Sequence, residues 1–194
     1  MSTLNSPKIL LYHICLWLFL LSAVDVVFAD LSNNNHWQTL ETKHTIIRYH
    51  AKKDLEKFNS MIDYSPASMG LKGLFSKQDS DDLSDKIKKK VDAVYERVQE
   101  ILDMRKLTDK VKVDIYHDKK ELHAAYYEVF QKKSQLRAWY IYKSNTIYIN
   151  ANDMHEGILA HEMAHAIIDQ FLSVRPPPAT AEILARYVDG HLFD

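Results

Sequence analysis

The chain has 194 residues, of which 25 are Lys or Arg, 26 are Asp or Glu and 10 are His, giving a formal net charge of −1. So balanced a charge offers no electrostatic case for a nucleic-acid partner. The only cysteine, Cys15, lies near the N-terminus, which excludes a cysteine-rich structural metal site or a thiol nucleophile anywhere downstream.

The first 29 residues differ from the rest. Lys8 precedes an apolar run over residues 9–21, and the segment closes on Val27-Phe28-Ala29. This reads as a signal peptide, residues 1–29, cleaved after Ala29, so the protein is expected to be secreted or periplasmic. An uncleaved N-terminal anchor is the alternative. However, the run is interrupted by His13 and Cys15 and is shorter than the roughly 20 apolar residues a membrane span needs. Cleavage would leave no stable span, and it would remove one charge of each sign, Lys8 and Asp25. The remainder, residues 30–194, is expected to be a single domain that rests on a packed core rather than on disulfides.

Residues 37–49 have strand-like composition, with Thr39, Thr42, Thr45, Ile46, Ile47 and Tyr49. A short helical piece follows over 53–62. Residues 64–80 collect Ser65, Pro66, Gly70 and Gly73 and read as a loop, pinned to the core by Met69, Leu71, Leu74 and Phe75. Residues 82–104 form an amphipathic helix in which Ile87, Val91, Val94, Val98 and Ile101 recur at spacings of four and three. Residues 111–116 alternate as a strand. Asp118 and Glu121 then fit a capping box for a helix whose Leu122, Ala125, Tyr126, Val129 and Phe130 share a face. Residues 138–142 and 146–150 are β-rich and separated by Lys143-Ser144-Asn145, which predicts a hairpin.

The next helix carries His161-Glu162-Met163-Ala164-His165. Asp153 is the expected N-cap, with Glu156 completing a capping box. Residues four apart on a helix share a face, so two imidazoles at 161 and 165 can hold one zinc ion. Glu162 between them is placed to take a proton from a metal-bound water, the outline of a hydrolytic site. Two histidines need a third protein ligand. An extended histidine pattern on the same helix would require a glycine at 168 and a ligand at 171, where Ile168 and Phe171 stand. The run Pro176-Pro177-Pro178 instead breaks the helix and turns the chain. Thr180 is the expected cap of a last helix over 181–189, and Glu182 in its first turn is the expected third ligand. Arg186 and Asp189 share that carboxylate's side of the helix.

His161-Glu162-Met163-Ala164-His165 followed by Glu182 resembles the gluzincin arrangement of zinc metallopeptidases. The likeness is nearest to small single-lobe, peptidase MA-like members (minigluzincins) and covers residues 111–189. It implies an α+β, zincin-like fold, in which a small mixed sheet packs on the HExxH helix and a Glu-bearing helix follows. It also implies a Zn2+ cofactor, a peptide or protein substrate, and hydrolysis with Glu162 as general base. The edge strand, with Ala138, Trp139 and Tyr140, would pair with an extended substrate. An inactive binding module of the same fold in the cell envelope is the alternative reading. Gluzincins often carry an Asp four residues after the ligand Glu, where this chain has Arg186, so Asp189 and Arg186 are the candidates for orienting the ligands. Tyr187, His191, Tyr140 and Tyr142 are the candidates for stabilising an oxyanion.

Overall fold

The computed structural model describes residues 36–64, 82–106 and 109–194. The expected signal peptide and nearly all of the expected loop over 64–80, with its four apolar side chains, lie outside these residues. Five strands form one mixed sheet: β1 (Gln38–Glu41), β2 (Thr45–Tyr49), β3 (Val111–Tyr116), β4 (Ala138–Ile141) and β5 (Thr146–Asn150), in the order β1-β2-β3-β5-β4. β2, β3 and β5 run parallel, while β1 and β4 pair antiparallel at the two edges. Five helices accompany the sheet among the described residues: α1 (Lys52–Met61), α2 (Leu83–Leu102), α3 (Lys119–Phe130), α4 (Glu156–Phe171) and α5 (Pro178–His191). The fold is therefore α+β.

Alternation along the strands sets the layers. Ile47, Val111, Val113, Ile115, Ile147 and Ile149 are fully buried on one face. There they meet the stripe Ile87, Val91, Val94 and Val98 of α2, and Leu159, Ala160, Met163, Ala164 and Ile167 of α4. Each such aliphatic side chain contributes about 1.5–3 kcal/mol by leaving water. α5 closes this core through Ala185 and Val188, with Leu192 just past its end. Arg97 of α2 donates to the carbonyls of His191, Leu192 and Asp194, satisfying acceptors that the end of α5 leaves open.

The opposite face is polar and aromatic. Arg48 on β2 donates through Nε to Oδ1 of Asp114, its register partner on β3, at 2.6 Å, and through Nη2 to Oδ2. The rings of Tyr116, Tyr148 and Trp139 stack from strand to strand, and α3 sets Leu122 and Tyr126 against this face.

Several local expectations need correction. The strand-like run over 37–49 is two antiparallel strands. Its turn is held by Asp92, which accepts from the Thr42 hydroxyl and from the backbone N–H of Lys43 and His44. α3 opens as its capping box predicts, with Asp118 accepting from the Glu121 N–H and the Glu121 carboxylate accepting from His117. Val129 and Phe130 at its far end are 50% and 41% exposed, not part of a packed face. Asp153 does not cap α4, whose N-cap is His155, because it pairs with Arg137 instead. α5 starts at Pro178 with Pro177 as its N-cap, before Thr180. A proline at the first helical position has its φ preset and lacks an N–H that would go unpaired there anyway. Glu182 consequently sits in the second turn.

Candidate metal centre

α4 is buried along most of its length, but one stripe emerges at the sheet edge. His161, His165 and Asp169 occupy it at successive intervals of four. α4 and β4 run in the same sense. At one end Arg137, just before β4, pairs with Asp153, just before α4. At the other end Gln170 and Tyr140 both donate to Asn145 Oδ1. The proline turn then brings α5 back across α4, so that Glu182 faces the two imidazoles.

The convergence is close. Glu182 Oε2 lies 3.6 Å from His161 Nε2 and 3.5 Å from His165 Nε2. One donor atom from each of the three residues lies within 4.8 Å of the others. A tetrahedral zinc with bonds of about 2.0–2.2 Å separates its ligand atoms by roughly 3.3–3.6 Å. The donor set therefore suits that ion with little movement. The imidazole rings stand edge to face, with centroids 5.0 Å apart.

The surrounding charges follow from burial and partners. Burial holds the His165 imidazole below its ordinary value, and His161 beside it acts the same way, so the ring stays neutral, as a metal ligand must. Glu182 is held below the usual carboxylate range, chiefly by the hydrogen bond that Arg186 Nε donates to its Oε1 at 2.8 Å. Arg186 thereby engages one carboxylate oxygen and leaves the other facing the histidines. Glu162 is nearly buried, and loss of water together with the nearby Glu182 charge pushes its carboxyl up to about 8.

These groups open onto a groove of about 380 Å³ lined by His161, Glu162, His165, Ala181, Glu182 and β4, among others. The predicted edge residues do belong to an edge strand. Ala138 and Tyr140 lie on the α4 side of the sheet, while the Trp139 ring stacks on Tyr148 on the other side, 5.0 Å between centroids. Asp189 takes a different place from the one expected. It is exposed, and its carboxylate lies beside Gly157 in the opening turn of α4, where a Cβ on residue 157 would come within 2.5 Å of Oδ1.

Sequence reasoning missed Arg175, which lines the groove beyond His165. Its Nε donates to Asp169 Oδ1 at 3.0 Å, and its guanidinium lies 4.9 Å from the centroid of the Tyr142 ring. Asp169, one turn after His165 on the same stripe, is the sequence signal that could have pointed to it. A larger cavity of about 640 Å³, lined by Lys43, His44, Glu96 and Arg97 among others, lies away from these groups. No family model, curated protein or solved structure matches this chain.

Proposed function

We propose that this chain is a zinc-dependent peptidase-like hydrolase with a zincin-like fold, exported and acting on an extended peptide or protein substrate. The observation that carries the reading is the meeting of two imidazole nitrogens and one carboxylate oxygen beside a buried Glu162, in a groove bordered by a sheet edge. His161, His165 and Glu182 would hold the metal. Bound zinc supplies a water acidified to a pKa of about 7 and a polarised scissile carbonyl. Glu162 would accept a proton from water at its carboxylate and return it to the departing amine nitrogen. A divalent cation close by favours the ionised form of Glu162, reversing the effect of burial. The free edge of β4 donates and accepts main-chain hydrogen bonds with the substrate, which holds the peptide extended past the metal.

Protein purified without chelator is expected to carry about one zinc per chain. His165→Ala and Glu182→Ala should lose it, and Glu162→Gln should keep it while losing peptide hydrolysis. Zinc retained by both ligand variants, or full activity in Glu162→Gln, would overturn the reading.

One observation favours a second reading, a metal-holding binding module in the cell envelope. Of the side chains expected to stabilise an oxyanion, Tyr142, Tyr187 and His191 do not line the groove, and Tyr140, which does, already donates its hydroxyl to Asn145. Turnover of a peptide library by the zinc-loaded protein separates the two readings.

A further inference from the structure

Arg175 is the one permanent cation among the described residues that line the groove. Two contacts fix it. The Asp169 carboxylate, whose side chain is almost fully covered, holds Nε, and Tyr142 supports the guanidinium plane. Asp169 is itself pushed upward by burial, and Arg175 is the cation that offsets this. The two terminal amino groups of Arg175 have no partner among the described residues, and the side chain is 59% exposed. A guanidinium anchored through one nitrogen, with its remaining donors open to a groove, is suited to receive a carboxylate in two parallel hydrogen bonds.

The position of Arg175 says which part of a peptide it would meet. Because α4 and β4 run in the same sense, the groove has a His161 end beside Leu136 and Ala138, and an Asp169 end beside Tyr142. A strand pairing antiparallel to β4 would enter with its N-terminal residues beside Arg175 and leave past the exposed Leu136. Asp169 lies one helical turn, about 6 Å, beyond His165. Measured from a metal held between His161 and His165, that is roughly two to three residues of extended chain at about 3.3 Å each.

We propose that Arg175 is a specificity residue that takes the side-chain carboxylate of an Asp or Glu two or three positions before the scissile bond. This rests on the peptidase reading above and sharpens it. The acidic side chain at one end and the apolar Leu136 at the other would also fix the direction in which a peptide lies.

The test uses acetylated, amidated peptides in which a phosphinate replaces the scissile amide, fixing the register at the metal. Their affinity for the zinc-loaded protein is read by fluorescence anisotropy, with Glu, Gln or Lys at each of the two positions. Glu should bind about fivefold more tightly than Gln at one of them, and Lys more weakly than either. Arg175→Gln should bring the Glu-to-Gln ratio to about one, Arg175→Lys should retain the preference, and Arg175→Glu should turn it toward Lys. A purely structural role for Arg175 would not follow the sign of the charge in this way. Equal binding of Glu and Gln peptides by the parent, a preference surviving in Arg175→Gln, or no binding by zinc-loaded protein would each overturn the proposal. So would a preference satisfied only by a free C-terminal carboxylate. If the protein holds no zinc yet plain peptides show the charge preference, the peptidase reading fails and with it the placement relative to a scissile bond, while the pairing of Arg175 with an acidic side chain stands.

Discussion

Burial of Glu162 makes a prediction about stability that is independent of turnover. Its carboxyl is raised from about 4.5 to about 8, first by burial and then by Glu182. A group whose folded value lies above its unfolded one holds its proton more tightly in the folded chain. Its contribution is therefore complete below about pH 4.5 and is lost as pH climbs to about 8. Each unit corresponds to about 1.4 kcal/mol, so metal-free protein gives up about 3 kcal/mol by pH 7 and about 4–5 kcal/mol above pH 8. Glu162→Gln keeps the shape of the protonated side chain and never ionises. In the presence of a chelator, the variant should match the parent near pH 4.5 and exceed it at pH 7, by roughly 6–12 °C in Tm at about 2–4 °C per kcal/mol. Saturating zinc should narrow the gap, because the cation stabilises the parent's carboxylate. His165 titrates in both proteins and drops out of the difference. Urea and thermal unfolding followed by circular dichroism across pH 4.5–8.5 would measure this. A difference of the same size at every pH, or a variant less stable than the parent at pH 8, would refute the electrostatic argument.

Arg186→Ala leaves Glu182 without the partner that engages Oε1, so zinc affinity measured by chelator competition should fall about tenfold while His161 and His165 still bind. Zinc affinity in the parent should weaken as pH falls far enough to protonate the imidazoles. For His165, which is held below its ordinary value, that loss begins at lower pH than for a free histidine. A binding isotherm series from pH 7.5 to 5 tests it. On the far face of the sheet, Arg48→Met strands the buried Asp114 carboxylate and should cost about 3 kcal/mol in urea unfolding at pH 7, with less loss when Asp114→Asn accompanies it.

What could be read from the sequence was what depends on near neighbours. The valines and isoleucines of α2 recur at helical spacing, and the Asp118–Glu121 cap is written within four residues. His161 and His165 share a face by helix geometry alone. Glu182 was legible because a proline run ends the helix, and a short connection can bring the next helix back over the first. Misreadings arose where a distant partner intervened. Asp153 looks like a cap until Arg137, 16 residues earlier, takes its carboxylate. Thr180 looks like another, but Pro177 and Pro178 already start the helix. Asp92, far along the chain, makes a turn inside a segment that reads as one strand. Arg175 was only half legible for the same reason: Asp169 hints at it nearby, but its second contact, Tyr142, lies far earlier in the chain.

The two acidic groups of the site are driven apart. Glu182 is held ionised by Arg186 and sits close to both imidazoles, whereas Glu162, one residue after His161, is driven toward its neutral form by burial and by the charge on Glu182. On the proposed reading, such divergence between neighbouring carboxyls would separate a ligand from a proton carrier. Arg175 and Arg186 do not relieve the strain on Glu162, since Arg175 pairs with Asp169 and Arg186 with Glu182. On the proposed reading a dication between His161, His165 and Glu182 supplies the missing positive charge, and it does so at the point where Glu162 must ionise to accept a proton. The same arrangement explains why Glu162 would be costly to the metal-free chain. Its position is unfavourable for folding alone and, on the proposed reading, would become favourable once a cation is bound.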